Sequence, residues 1–212
     1  MFVEERMTTY INSLQESLPP FLADLEKESI ENYVPVIRKE TQNLLRVLLA
    51  ATRPEEILEV GTAVGFSALF MNDCLPTSRI TTIEKYEKRI PIARENFKKA
   101  GKEQQITLLE GEAADILKRL SGSYGLIFMD AAKGQYIHFL PDVCRLLKKG
   151  GILLSDNVLQ EGDIIQSRFA VTRRNRTIHA RMREYLYALH HHEELVTTLL
   201  PIGDGITISV KK

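Results

Sequence analysis

Between residues 56 and 70 the chain reads EILEVGTAVGFSALF, an apolar run that halts at Gly61 and resumes after Gly65 with helical spacing. Ile57, Leu58 and Val60 suit a buried parallel strand, and the residues after Gly65 have the period of a helix. Gly61 and Gly65 can adopt backbone conformations that other residues avoid, so they flank a tight turn whose free N–H groups open the helix toward a ligand. The spacing is Gly-x-x-x-Gly, with Glu59 two residues ahead of Gly61. It differs from the Gly-x-Gly-x-x-Gly that cradles a dinucleotide pyrophosphate. A nucleotide-like cofactor without a pyrophosphate fits these residues; a plain strand-to-helix turn of any α/β protein fits them equally well.

Downstream, strands are expected at 79–84, 105–109, 124–130 and 151–156, alternating with helices at about 87–100, 112–120 and 135–147. That rhythm defines an α/β fold with a doubly wound, mostly parallel sheet. Gly101 and Gly150-Gly151 fall where helix ends or turns belong. Residues 3–52 are helix-rich, broken at Pro19-Pro20 and Pro35. They form an N-terminal helical cap that covers the cofactor site or packs on another subunit, with Val34 to Ile37 able to line the site. A polar, helix-like segment from Asp163 to His192 leads to ELVTTLLPIGDGITISVKK, two strand-like runs joined through Gly203-Asp204-Gly205. These form an antiparallel C-terminal hairpin on the sheet edge. The expectation is one domain over residues 1–212, a cap (1–52) on a seven-stranded core (53–212).

Lys plus Arg and Asp plus Glu both total 28, so the formal charge is zero. No whole-protein field favours nucleic acid or membrane; any bias must be local. Cys74 and Cys144 lie far apart with no adjacent His/Cys ligand pattern, which suits buried free thiols in a reducing compartment. No stretch approaches the ~20 apolar residues of a membrane span, and the acidic start at Glu4 and Glu5 lacks a leader pattern. A cytoplasmic protein without membrane attachment is expected. One local bias exists: Arg168, Arg173, Arg174, Arg176, Arg181 and Arg183 occur with no Asp or Glu among them. Such a run is either a phosphate-binding surface or the solvated face of a helix, although helices commonly mix signs.

Ligands of open α/β sheets bind beyond the carboxyl ends of the strands, and here those ends are acidic. Glu84 can accept hydrogen bonds from two ribose hydroxyls, or cap a helix beside Lys85 and Lys88. Gly111-Glu112-Ala113 can set backbone groups against an adenine edge, or simply begin a helix. Asp130 and Asp156-Asn157 bring three hard oxygen donors to one edge, leaving further positions of an octahedral Mg²⁺ to water or substrate. An Asp at such a junction is as often an N-cap; the combination with Lys133 favours the cation. A dication and a dry pocket both favour a neutral amine, making Lys133 a candidate general base, with a solvent-facing lysine as the alternative.

Together, EVGTAVGFSA, Glu84, IFMDAAKGQY, LLSDNVL and GDGITIS resemble the metal-dependent class I S-adenosylmethionine O-methyltransferases of the catechol and caffeoyl-CoA type, over essentially the whole chain. The DAAKGQY block, the DNVL motif, the arginine-rich segment and the GDG hairpin are most similar to bacterial enzymes that methylate 5-hydroxyuridine at the tRNA wobble position. The resemblance implies a Rossmann-like methyltransferase fold and a homodimer. It implies S-adenosyl-L-methionine held by Ile37, Glu59, Gly61, Gly65, Ser67, Glu84, Ala113 and Asp130. It further implies Mg²⁺ or a similar cation on Asp130, Asp156 and Asn157, with Lys133 as base and Asp130 also close to the chemistry. Arg173, Arg174, Arg176, Arg181 and Arg183 are the expected contacts to the tRNA anticodon loop. Glu112 departs from the Asp of many relatives, on the adenine side. Catechols and 5-hydroxyuridine both present two vicinal oxygens, so a small catechol or phenylpropanoid acceptor competes with tRNA. A non-catalytic RNA-binding module is a third reading.

Overall fold

The period-two pattern of the first strand decides the architecture, because Leu58 and Val60 turn to one face of the sheet and Ile57 to the other, and both faces are buried. The computed structural model describes residues 4–212; residues 1–3, at the start of the expected cap, lie outside them. The strands are β1 (Glu56–Val60), β2 (Arg79–Glu84), β3 (Ile106–Glu110), β4 (Tyr124–Met129), β5 (Leu147–Ser155), β6 (Leu195–Leu200) and β7 (Ile206–Lys211). They form one seven-stranded sheet in the order β3-β2-β1-β4-β5-β7-β6. β1 pairs in parallel with β2 and β4, while β7 runs antiparallel to β5 and β6. The expected doubly wound sheet with an antiparallel hairpin is therefore the fold, and its strand order reverses between β1 and β4, where such sheets open a crevice.

The helices are α1 (Glu5–Ser13), α2 (Pro20–Glu31), α3 (Lys39–Thr52), α4 (Phe66–Cys74), α5 (Ile90–Lys99), α6 (Ala113–Arg119), α7 (Tyr136–Leu146) and α8 (Arg176–His190). On one face Leu58, Ile127 and Leu153 pack against Phe139 and Val143 of α7 and Met182 of α8. On the other, Ile57, Phe128 and Leu154 meet Leu45 and Leu49 of α3 and Phe66 and Phe70 of α4. Within the cap, α2 and α3 pack on α4. α1 buries none of its residues, and its Tyr10 and Ile11, with Leu14 just past its end, are exposed.

Two expectations need correction. Gly150-Gly151 does not separate elements: β5 begins at Leu147, and Gly150, at φ +74°, bends the strand where its register against β4 shifts. The segment 163–192 is not one helix. A 3₁₀ turn at Gln160–Ile165 carries left-handed Glu161 and Gly162, turns follow, and α8 starts only at Arg176. The intervening carbonyls do not bond along a helix axis; side chains of α8 take them up. Cys144 is buried and Cys74 half-buried, both as free thiols. Among the described residues no helix is long and apolar enough to cross a membrane.

Candidate active site

At the end of β1 the backbone N–H groups of Gly61 and Thr62 both donate to the Ile83 carbonyl at 3.1 Å, and Asp130 N–H donates to the Val60 carbonyl at 3.0 Å. The turn thus lies flush on the end of β4. Gly61 has φ +111°, and a Cβ there would sit 2.1 Å from the Asp130 carbonyl oxygen, so only glycine fits. Ala63, left-handed at φ +48°, donates its N–H to Glu84 Oε2 at 2.7 Å. Glu84 Oε1 accepts the N–H groups of Lys85 and Tyr86, both at 2.9 Å. Three of the carboxylate's four lone pairs are engaged in this way, and Oε2 keeps one for an incoming hydroxyl.

Beyond this turn opens a cavity of about 650 Å³, within the range of cofactor sites. Its lining brings together Ile37, Gly61, Ser67, Glu84, Ala113, Asp130, Lys133, Asp156 and Asn157. Two sequence-predicted cofactor residues are absent from its walls. Gly65 serves the backbone instead, at φ +88° with the Phe97 ring against its Cα. Glu59 is fully buried in β1, behind the wall.

Glu59 Oε2 accepts the Thr82 hydroxyl at 2.5 Å, and Thr82 shares a 2.6 Å bond with Thr62 of the turn. Glu59 Oε1 has no hydrogen-bond partner. Burial lifts the Glu59 pKa from 4.5 to about 7. The folded state therefore binds a proton that the unfolded state releases, and this contribution to stability is lost as pH rises through that window. Relative to Glu59→Gln, the wild type is expected to lose about 3 kcal/mol of unfolding free energy between pH 4.5 and pH 7. Urea titrations across that range check this; parallel curves for the two proteins would refute it.

On the opposite wall the ends of β4 and β5 are locked together. Asp156 N–H donates to the Met129 carbonyl at 3.0 Å. The buried Tyr136 hydroxyl sits between the carbonyls of Met129 (3.1 Å) and Asp156 (3.3 Å). Asn157 adopts φ +59°, a conformation Asn tolerates better than most residues, and its amide donates to Asp130 Oδ1 at 3.2 Å. Asp156 accepts Asn157 N–H at 2.7 Å and the Thr41 hydroxyl of α3 at 3.3 Å.

Burial raises the Asp130 pKa, and burial followed by the Asp130 charge raises that of Asp156 to about 7. A cation between these carboxylates would offset both causes, and two carboxylates with an amide are hard oxygen donors suited to Mg²⁺. Among the described residues no three His, Cys, Asp or Glu side chains converge for a metal; the third oxygen beside Asp130 and Asp156 would be that of the Asn157 amide.

Lys133 Nζ lies 3.5 Å from Asp204 Oδ2. Asp204 is buried, its Oδ1 accepts the Glu161 N–H, and both residues line the cavity. Asp204, placed by the sequence in a hairpin turn and in the GDG motif without a role of its own, thus joins the site residues; an Asp between two glycines in a strand-end turn is the signal for it. Thr41 had none.

The arginine segment divides. Arg168, Arg173, Arg174 and Arg183 are exposed, and Arg176 and Arg181 half-buried. Arg176 donates to the carbonyls of Val171 (3.2 Å) and Phe169 (3.4 Å), and Arg183 to that of Ile164 (2.9 Å). Buried His179, between them on α8, bonds the Gln166 carbonyl at 3.2 Å. At spacings of three and four these side chains share one helix face and fasten the preceding loop. Arg181 donates to the Gly134 carbonyl at 3.2 Å, beside Lys133. Arg176, Arg181 and Arg183, expected as RNA contacts, are thus engaged within the protein.

A family profile described as O-methyltransferase matches residues 12–212. The chain is 31% identical over 176 residues to the caffeoyl-CoA O-methyltransferase of Medicago sativa, covering 77% of this chain and 70% of that one. It is 32% identical over 126 residues to a catechol O-methyltransferase of Niastella koreensis, a match that spans 57% of each protein. The SAH-bound methyltransferase PaMTH1 of Podospora anserina superposes with a TM-score of 0.88 at 27% identity, over 98% of this chain and 94% of that one. The sheet is accordingly the Rossmann-like methyltransferase sheet. With a profile match that runs from the cap through the last strand, and the acidic strand ends gathered in one cavity, the chain belongs to the O-methyltransferase family.

Proposed function

We propose that the protein transfers the methyl group of S-adenosylmethionine to a hydroxyl oxygen with the aid of a divalent cation, and that its acceptor is 5-hydroxyuridine at the tRNA wobble position. The observation that carries this reading is the convergence of Asp130, Asp156, Asn157 and Lys133 in the cavity that Glu84 and the Gly61 turn also line. The SAH in the related PaMTH1 supports the cofactor. Glu84 Oε2 has a lone pair free for a ribose hydroxyl, and Gly61, Ser67, Ala113 and Ile37 line the space around it.

Methyl transfer needs donor and acceptor in line, so positioning contributes much of the rate. A cation held by Asp130, Asp156 and Asn157 would supply charge that favours the ionised acceptor and would orient two vicinal oxygens. Lys133 would act as base in its neutral form, which a cation on the three neighbouring donors favours; its amine then takes the acceptor proton, and the Asp204 carboxylate beside it pairs with the ammonium that results. Tyr136 keeps the two strand ends at a fixed separation.

The exposed Arg168, Arg173 and Arg174, in a stretch without acids, support an RNA acceptor. A small catechol acceptor is the second reading, favoured by the catechol and caffeoyl-CoA relatives. Incubation with methyl-labelled S-adenosylmethionine, Mg²⁺ and either tRNA containing 5-hydroxyuridine or catechol separates the two. Label is expected in the tRNA with the higher kcat/KM, and chelation of the cation is expected to stop it. Label in catechol alone would reverse the assignment.

A further inference from the structure

The loop that α8 fastens has an aromatic at its tip. Phe169 is 84% exposed, beside Arg168 and four residues before the Arg173-Arg174 pair. A single exposed apolar side chain is ordinary on a protein surface; what sets this ring apart is the built turn that carries it and the cations beside it. Ala170 and Val171 N–H groups donate to the Ser167 carbonyl at 2.9 and 3.3 Å, and Phe169 N–H donates to Ser167 Oγ at 3.3 Å. Val171 is buried, and Arg176 holds the carbonyls on either side of Ala170. The ring is therefore presented by a fixed backbone.

The same loop begins at the cavity. Glu161 lines it, and Phe169 follows eight positions later, a reach of at most about 28 Å. Between Ile164 and Arg183 there is no Asp or Glu. A flat apolar face flanked by unopposed cations matches a polyanion that carries flat apolar rings, which describes single-stranded nucleic acid.

We infer that Phe169 is a base-stacking platform for the acceptor RNA, taking an unpaired base near the nucleotide that enters the cavity, while Arg173 and Arg174 hold adjacent phosphates. The inference rests on the RNA reading above. It assigns to this loop two separable forces: stacking, which is nearly independent of salt, and phosphate contact, which is not.

The test uses the full chain and an anticodon stem-loop RNA bearing 5-hydroxyuridine. Phe169→Ala is expected to raise the RNA Kd and KM by about 5- to 150-fold, the range of one lost base stack, with kcat, S-adenosylmethionine affinity and the salt slope unchanged. Phe169→Tyr is expected to restore wild-type affinity. Arg173→Ala with Arg174→Ala is expected to lower the slope of log K against log salt by about 1.4, the amount for two single-strand phosphates. Wild-type RNA affinity in Phe169→Ala, or loss in Phe169→Ala that Tyr does not restore, would overturn the platform. Failure of the wild-type protein to bind or methylate the hydroxyuridine RNA would overturn the acceptor and the platform together, and is told apart because it needs no variant.

Discussion

Asp156→Asn is expected to cut methyl transfer on the order of 1,000-fold, the several kcal/mol that a bound cation contributes to charge stabilisation, while making the ligand-free protein more stable at pH 8. The two effects have one origin. Asp156 is buried, and its pKa is lifted to about 7 by burial and by the charge of Asp130. A carboxyl raised from 3.8 when unfolded to about 7 when folded contributes stability below pH 4 that is lost as pH rises through 7. Asn carries no charge to desolvate or repel, so the variant keeps its stability across that window. Mg²⁺ reverses the order: it is expected to raise the Tm of the wild type by mass action and to leave that of the variant nearly unchanged. Thermal unfolding at pH 8, with chelator and with Mg²⁺, checks both halves. A wild-type Tm indifferent to divalent cations would remove the metal from the site.

Gly61→Ala is expected to destabilise the protein by about 4 kcal/mol, at the upper end for single substitutions, and to abolish cofactor binding. The added methyl would meet the Asp130 carbonyl oxygen at 2.1 Å and the Ala131 Cα at 3.3 Å, on a backbone at φ +111°. Relief requires the β1 turn or the β4 end to move, and either shift displaces Asp130. Gly101→Ala is the control. It too has positive φ, +65°, but nothing lies within 4 Å of the new methyl, so it should cost only about 1 kcal/mol, the conformational cost of a left-handed residue. Denaturant unfolding of both, with titration of S-adenosylmethionine, checks this; equal costs would mean that contact with β4 is not what selects glycine at 61.

The Gly61 turn, Glu84 and the Asp130/Asp156/Asn157 edge were legible in the sequence because each is set by local rules. A strand has a period, a turn needs glycine, and a parallel sheet sends its strand ends to one side. What was not legible depends on contacts between distant segments. Thr41 reaches Asp156 across 115 positions, and no pattern around it announces that. Lys133 meets Asp204 only because β7 is antiparallel and its leading turn arrives beside the β5 end. Glu59 looked like a ligand residue because it precedes the turn, yet it alternates away from the cavity and into the sheet, where Thr82 receives it. The arginines were countable, but which of them bond to backbone carbonyls depended on how the loop before α8 folds. A run of like charge says where phosphate could bind, not which side chains the protein itself has engaged.

β7 follows β6 in sequence yet lies inside the sheet, between β5 and β6. During synthesis, a nascent chain that has not reached residue 211 holds β5 with an unpaired edge, and the cavity lacks the wall that carries Asp204. Unpaired edges next to apolar cores are where growing chains associate wrongly. The strand made after both of its neighbours is thus a keystone: the wall that carries Asp204 and the cover of the β5 edge arrive together.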